Sequence, residues 1–97
     1  MATYISFLHY TEQGMSKIKE SPGRLDAARA LFKQHGGELK AFYLTMGGVD
    51  AVAIAEAPND ETVSRVLLTL ASKGNVRTTT SRAFTEEEYR KLLGSLP

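Results

Sequence analysis

The chain has 97 residues, of which 42% are hydrophobic and 24% charged, with a formal net charge of +1. That is ordinary globular usage in a length that fits one domain, taken as residues 1–97, and it argues against disorder. The absence of cysteine excludes disulfide scaffolds, thiolate metal sites and cysteine nucleophiles, and the interspersed charges make no electrostatic case for nucleic acid.

The opening Met1 to Ile5 lacks the basic region and apolar run of a signal peptide, and no stretch is long enough to span a bilayer. The expectation is a cytoplasmic protein with no membrane partner. Thr3 to Tyr10, aromatic and β-branched, reads as a strand. Thr11 to Gly14 breaks it, and a short helical turn follows through Met15 to Lys19. Ser21-Pro22 predicts a helix start, with Ser21 as N-cap and Pro22 at the first helical position. Leu25, Ala28, Leu31, Phe32 and His35 recur at helical spacing until Gly36-Gly37 ends the helix. Leu39 to Met46 is the second strand, Gly47-Gly48 signals a hairpin with a primed turn, and Asp50 to Glu56 is the third strand. Pro58-Asn59-Asp60 starts a helix whose apolar face is Val63, Val66, Leu67 and Leu70, stopped by Gly74-Asn75. Val76 to Ala83 is a Thr-rich fourth strand. Thr85 to Glu88 forms a capping box, flanked by Phe84 and Tyr89 as a hydrophobic staple, for a last helix running to about Gly94.

The order βαββαβ plus a terminal helix predicts an α+β ferredoxin-like sandwich. Right-handed crossovers place both long helices on one face of a four-stranded antiparallel sheet ordered fourth, first, third, second. A solvated second face would alternate apolar and polar along each strand. These strands do not alternate: Ile5 and Phe7 lie on one face of the first and Tyr4, Leu8 and Tyr10 on the other, and Ala51 to Ala55 is apolar throughout. Both faces therefore need covering, and a second copy is the simplest cover, giving a homodimer built as a dimeric α/β barrel.

Several segments together resemble the GYD domain family: Tyr10 to Gly14, Ser21-Pro22, Gly36 through Gly47, Asp50, Glu56-Ala57-Pro58, Gly74 to Thr78, and Arg82 to Glu88. The resemblance covers nearly the whole chain in register, and it implies a small bacterial or archaeal protein that looks like the dimeric α/β barrels. The namesake motif falls within Gly47 to Asp50, with Val49 where the family has Tyr.

Two constellations carry candidate chemistry. The first and third strands should be antiparallel neighbours, which brings His9 near Asp50, both assigned to the helix-facing rim. That pair reads either as a base oriented by an acid or as a turn held together by Asp50 with His9 beside it. Tyr4, Ser6, Leu8 and Tyr10 share the opposite face with Ala51 and Ala53. Tyr4, Ser6 and Tyr10, with Arg82 from the fourth strand, are the candidate ligand-binding set for a small apolar or aromatic molecule between two sheets. The alternative is that partner side chains fill that space. His9 and His35 lie far apart with no ligand-spaced carboxylates, so no metal site is expected, and neither Gly-Gly pair has phosphate-loop or dinucleotide spacing, so no cofactor is expected. An RNA-recognition reading fails because the third strand lacks aromatics to stack bases.

The expected function is a homodimeric barrel binding a small apolar molecule. The alternatives are a non-catalytic interaction or regulatory module with a filled barrel, and a cofactor-free oxygenase or isomerase.

Overall fold

The computed structural model describes residues 1–97. Strand β1 spans Ala2–Tyr10, helix α1 Glu12–Ser16, helix α2 Ser21–Gln34, strand β2 Glu38–Leu44 and strand β3 Ala51–Ala57. Helix α3 spans Asp60–Ser72, strand β4 Val76–Ala83 and helix α4 Glu86–Gly94. The strands form one antiparallel sheet in the order β2-β3-β1-β4, the order expected from the sequence.

Local chemistry explains most boundaries. Gly36 and Gly74 close α2 and α3 with φ of 80° and 82°, the left-handed conformation that favours glycine. Gly37 serves a different need, because a Cβ there would meet the Glu56 carbonyl oxygen at 2.5 Å, so the chain can turn into β2 hard against β3. The Asn59 side chain accepts from the Thr62 N–H and caps α3. Thr85 and Glu88 form the expected capping box on α4.

Three local expectations are corrected. Ser21 is not an N-cap: it lies inside α2 with φ −57° and ψ −40°, because a 3-10 turn over Ile18–Glu20 runs straight into the helix. The segment read as a breaker instead starts α1, with Thr11 as the cap accepting from the Gly14 N–H. The hairpin is not a two-residue primed turn. The strands stop at Leu44 and Ala51, and only Gly47 of the glycine pair has positive φ. Thr45 closes the longer loop by donating from its backbone N–H to the Asp50 carbonyl and from its hydroxyl to the Val49 carbonyl.

Both long helices cover one sheet face. The core there is Tyr4, Phe32, Leu39, Ala55, Ala57, Val63 and Val66. The register pairs Tyr4 with Ala55 and Arg82, Ser6 with Ala53 and Thr80, and Leu8 with Ala51 and Thr78, so these positions share the helix-facing side. Ile5, Phe7 and His9 therefore point the other way, beside Ile54, Val52 and Thr79. The sequence reading grouped the residues of each face correctly and assigned the groups to the wrong sides. A bulge between Leu39 and Ala41 explains the mixed pattern of β2: Leu39 and Phe42 both sit opposite helix-facing alanines, while Ala41 and Tyr43 sit opposite Ile54 and Val52.

No helix is long and apolar enough to cross a membrane.

Candidate functional site

The main concavity lies between the sheet and the two long helices. Its volume is about 760 Å³, and most of its lining is apolar. Ser6, Leu8 and Tyr10 of β1, with Ala53 of β3 and Phe42 of β2, form its floor. Leu25, Ala28 and Leu31 of α2 and Leu67 and Leu70 of α3 form its walls. Small side chains make the space: an alanine occupies the middle of the helical stripe and another the centre of the floor. The Ser6 and Thr80 hydroxyls satisfy each other at 2.7 Å.

This cavity divides the four residues that the sequence offered as ligand-binding. Ser6 and Tyr10 line it; Tyr4 and Arg82 do not. It lies between sheet and helices rather than between two sheets, because the side carrying Tyr4, Ser6 and Tyr10 is the helix-facing one. The sequence reading missed Ala28, Arg24 and Lys73 as lining residues. Ala28 had a legible signal, a small residue within an otherwise bulky helical stripe. The two cations had none, because only the fold brings the start of α2 beside the end of α3.

Tyr4 and Arg82 belong to a second cluster at the opposite end of β1. The buried Tyr4 phenol donates to Asp60 Oδ1 at 2.5 Å. Burial, then the hydrogen bond to the Asp60 carboxylate and its charge, push the phenol pKa above its ordinary value, while Arg82 pulls it down. The Arg82 guanidinium lies 4.5 Å from the Phe84 ring centre, 6.0 Å from that of Tyr4 and 3.8 Å from the Glu88 carboxylate. The Thr85 backbone N–H hydrogen bond, chiefly, with help from the Thr85 hydroxyl and from Arg82, holds the Glu88 pKa below the usual range. This cluster fixes where α4 leaves the sheet.

The His9 and Asp50 pair takes a different form. Both stand at the meeting of β1 with the hairpin loop, but no hydrogen bond or ion pair joins them. The His9 ring bonds the Gly48 carbonyl at 3.0 Å. Asp50 accepts from the Tyr10 backbone N–H at 2.9 Å and donates its own N–H to the Leu8 carbonyl at 2.9 Å. His9 is exposed on the open face, not on the helix-facing rim. Both residues are engaged in fastening the loop to β1. No group of three or more His, Asp or Glu gathers where it could hold a metal.

The family model for the GYD domain matches residues 4–93. The chain belongs to the GYD domain family. A member from Thermus thermophilus, named glutamine synthetase and cystathionine beta-lyase binding protein, is 33% identical over 84 residues, spanning 86% of this chain and 88% of that protein. Among solved structures, the Mycobacterium tuberculosis feast or famine regulatory protein complexed with L-methionine superposes with a TM-score of 0.65 at 14% identity. That match covers 88% of the GYD chain, which spans only 51% of the regulator's length. The 5-chloro-2-hydroxyhydroquinone dehydrochlorinase of Burkholderia phenoliruptrix AC1100 superposes with a TM-score of 0.61 at 15% identity, covering 90% of this chain and 97% of that one. At such identities these likenesses concern the ferredoxin-like fold alone.

Proposed function

We propose that this GYD protein is a non-catalytic binding module that works as a homodimer and docks on metabolic enzymes. The observation that carries the reading is the surface this fold leaves uncovered. Ile5, Phe7, Val52, Ile54, Ala41 and Tyr43 form one contiguous apolar face on the side of the sheet without helices. Helix α4 buries none of its residues, and Tyr89, Leu92 and Leu93 stand about half exposed along it. The accessible surface is 6585 Å² for 10.6 kDa. A folded monomer of that mass exposes about 5,500 Å². The surplus of about 1,100 Å² exceeds the roughly 800 Å² that each partner contributes to a standard interface. The radius of gyration, 14.6 Å, likewise exceeds the roughly 12.5 Å of a compact chain of this length.

The kind of partner comes from the Thermus relative, whose name gives glutamine synthetase and cystathionine beta-lyase as the proteins it binds. The engagement of His9 and Asp50 in the loop favours binding over acid–base chemistry. A cytoplasmic location goes with this reading. The test is biolayer interferometry of the immobilised chain against those two enzymes purified from its own host. Saturable binding of at least one supports the proposal, and binding of neither contradicts it.

A second reading rests on the cavity, whose volume and apolar lining suit a small molecule held between sheet and helices. The two readings are compatible, since the cavity and the open sheet face lie on opposite sides of the sheet.

A further inference from the structure

We infer that the cavity selects an apolar, ring-sized molecule carrying a single anionic group, with the apolar body against Ala53 and Ala28 and the anion at Arg24 and Lys73. This inference rests on the small-molecule reading above and names its ligand class. The space is a concavity of about 760 Å³ that opens to solvent. It falls within the range of pockets that hold drug-sized ligands.

Charge is distributed unevenly around it. The walls and floor are mostly apolar, and the uncharged polar side chains among them are Tyr10, Ser21, Thr69, Asn75, Thr78 and Ser6, whose hydroxyl is satisfied by Thr80. At the end where β1 finishes and α3 stops, Arg24 and Lys73 both line the space. Neither takes part in an ion pair, like four other cations of the chain, but these two alone also line the cavity. Glu20 is the one carboxylate in the lining, and it stands four residues before Arg24 on adjoining helical turns. Arg24 nevertheless turns from it to the Gly14 carbonyl, with one guanidinium nitrogen at 3.2 Å. The remaining guanidinium donors, the Lys73 ammonium and the Tyr10 hydroxyl, which makes no hydrogen bond within the chain, are left for a ligand. Two cations against one carboxylate, beside an apolar chamber, favour a monoanion over a neutral or cationic guest.

The experiment compares two fluorescent probes with the same aromatic framework on the full-length chain: anilinonaphthalene sulfonate, which carries an anion, and phenylnaphthylamine, which does not. Expected is saturable binding of both, tighter for the sulfonate. Arg24→Gln with Lys73→Gln should weaken the sulfonate about tenfold and leave the neutral probe unchanged. Ala28→Trp, which puts a bulky ring where the apolar body would sit, should weaken both, with thermal melts showing that each variant folds. Equal binding of the probes, or sulfonate binding indifferent to the double variant, overturns the anionic class while leaving an apolar cavity. Absence of binding, or binding unaffected by Ala28→Trp in a folded protein, overturns the cavity reading as well.

Discussion

The Tyr4 phenol reaches across the layer boundary to Asp60, so a single hydrogen bond ties β1 to the first turn of α3. Asp60 is exposed and can take up water when the phenol is gone. Tyr4→Phe should therefore cost only about 1 kcal/mol, read as a lower urea midpoint with an unchanged slope. The pKa of Tyr4 is raised in the fold. Its contribution is thus fully present below the unfolded value, about 10, and is lost as pH rises through the folded value. The wild type should lose stability on that alkaline limb, and Tyr4→Phe should lose less there.

Gly14 is required by close approach rather than by dihedral freedom. A Cβ there would meet the Asn75 carbonyl oxygen at 2.0 Å, an atom that also accepts from the Thr11 N–H. Gly14→Ala should destabilise by about 2–3 kcal/mol through forced separation of α1 from the end of α3. Gly48, with nothing within 4 Å and no positive φ, is the control: Gly48→Ala should stay within about 0.5 kcal/mol. Thermal unfolding of the two variants checks the contrast.

Asp50 is expected to act as a fastener. Asp50→Ala leaves the Tyr10 N–H without its acceptor and should cost about 1–2 kcal/mol. Hydrogen exchange at the Tyr10 amide should accelerate. Binding of the two enzymes proposed as partners, measured by interferometry under conditions in which the variant stays folded, should stay unchanged.

The elements were legible because their signals are local: glycines with positive φ after α2 and α3, and a four-residue capping box at the start of α4. The presence of two apolar faces was legible from strands that do not alternate. Which face carries the helices was not. Ala51, Ala53 and Ala55 pack against helices while Val52 and Ile54 between them are equally apolar, so the pattern is symmetric. The Tyr4–Asp60 contact that marks the helix-facing side joins residues 56 apart in the sequence. The same distance effect hid Arg24 and Lys73. The bulge at Lys40 was hidden for another reason: it shifts the alternation of β2 by one residue, and a shifted alternation looks like none.

Glu88 links α4 to the sheet through Thr85 and Arg82. Its pKa is lowered in the fold, so its contribution is present above the unfolded value and is lost as pH falls through the folded one. Glu88→Gln should remove that acid-side loss. Exchange of the Tyr89 amide against pH checks it, with wild type losing protection on acidification and the variant showing a flatter profile.

The account turns on the open sheet face being covered by a second copy, and sedimentation velocity tests this most directly. Phe7 sits at the centre of that face, between Val52 and Thr79. At micromolar concentration the wild type should sediment at about twice its 10.6 kDa chain mass, and Phe7→Arg should shift it toward the monomer while keeping its circular dichroism. A wild-type chain that sediments as a clean monomer across the micromolar range would contradict the account.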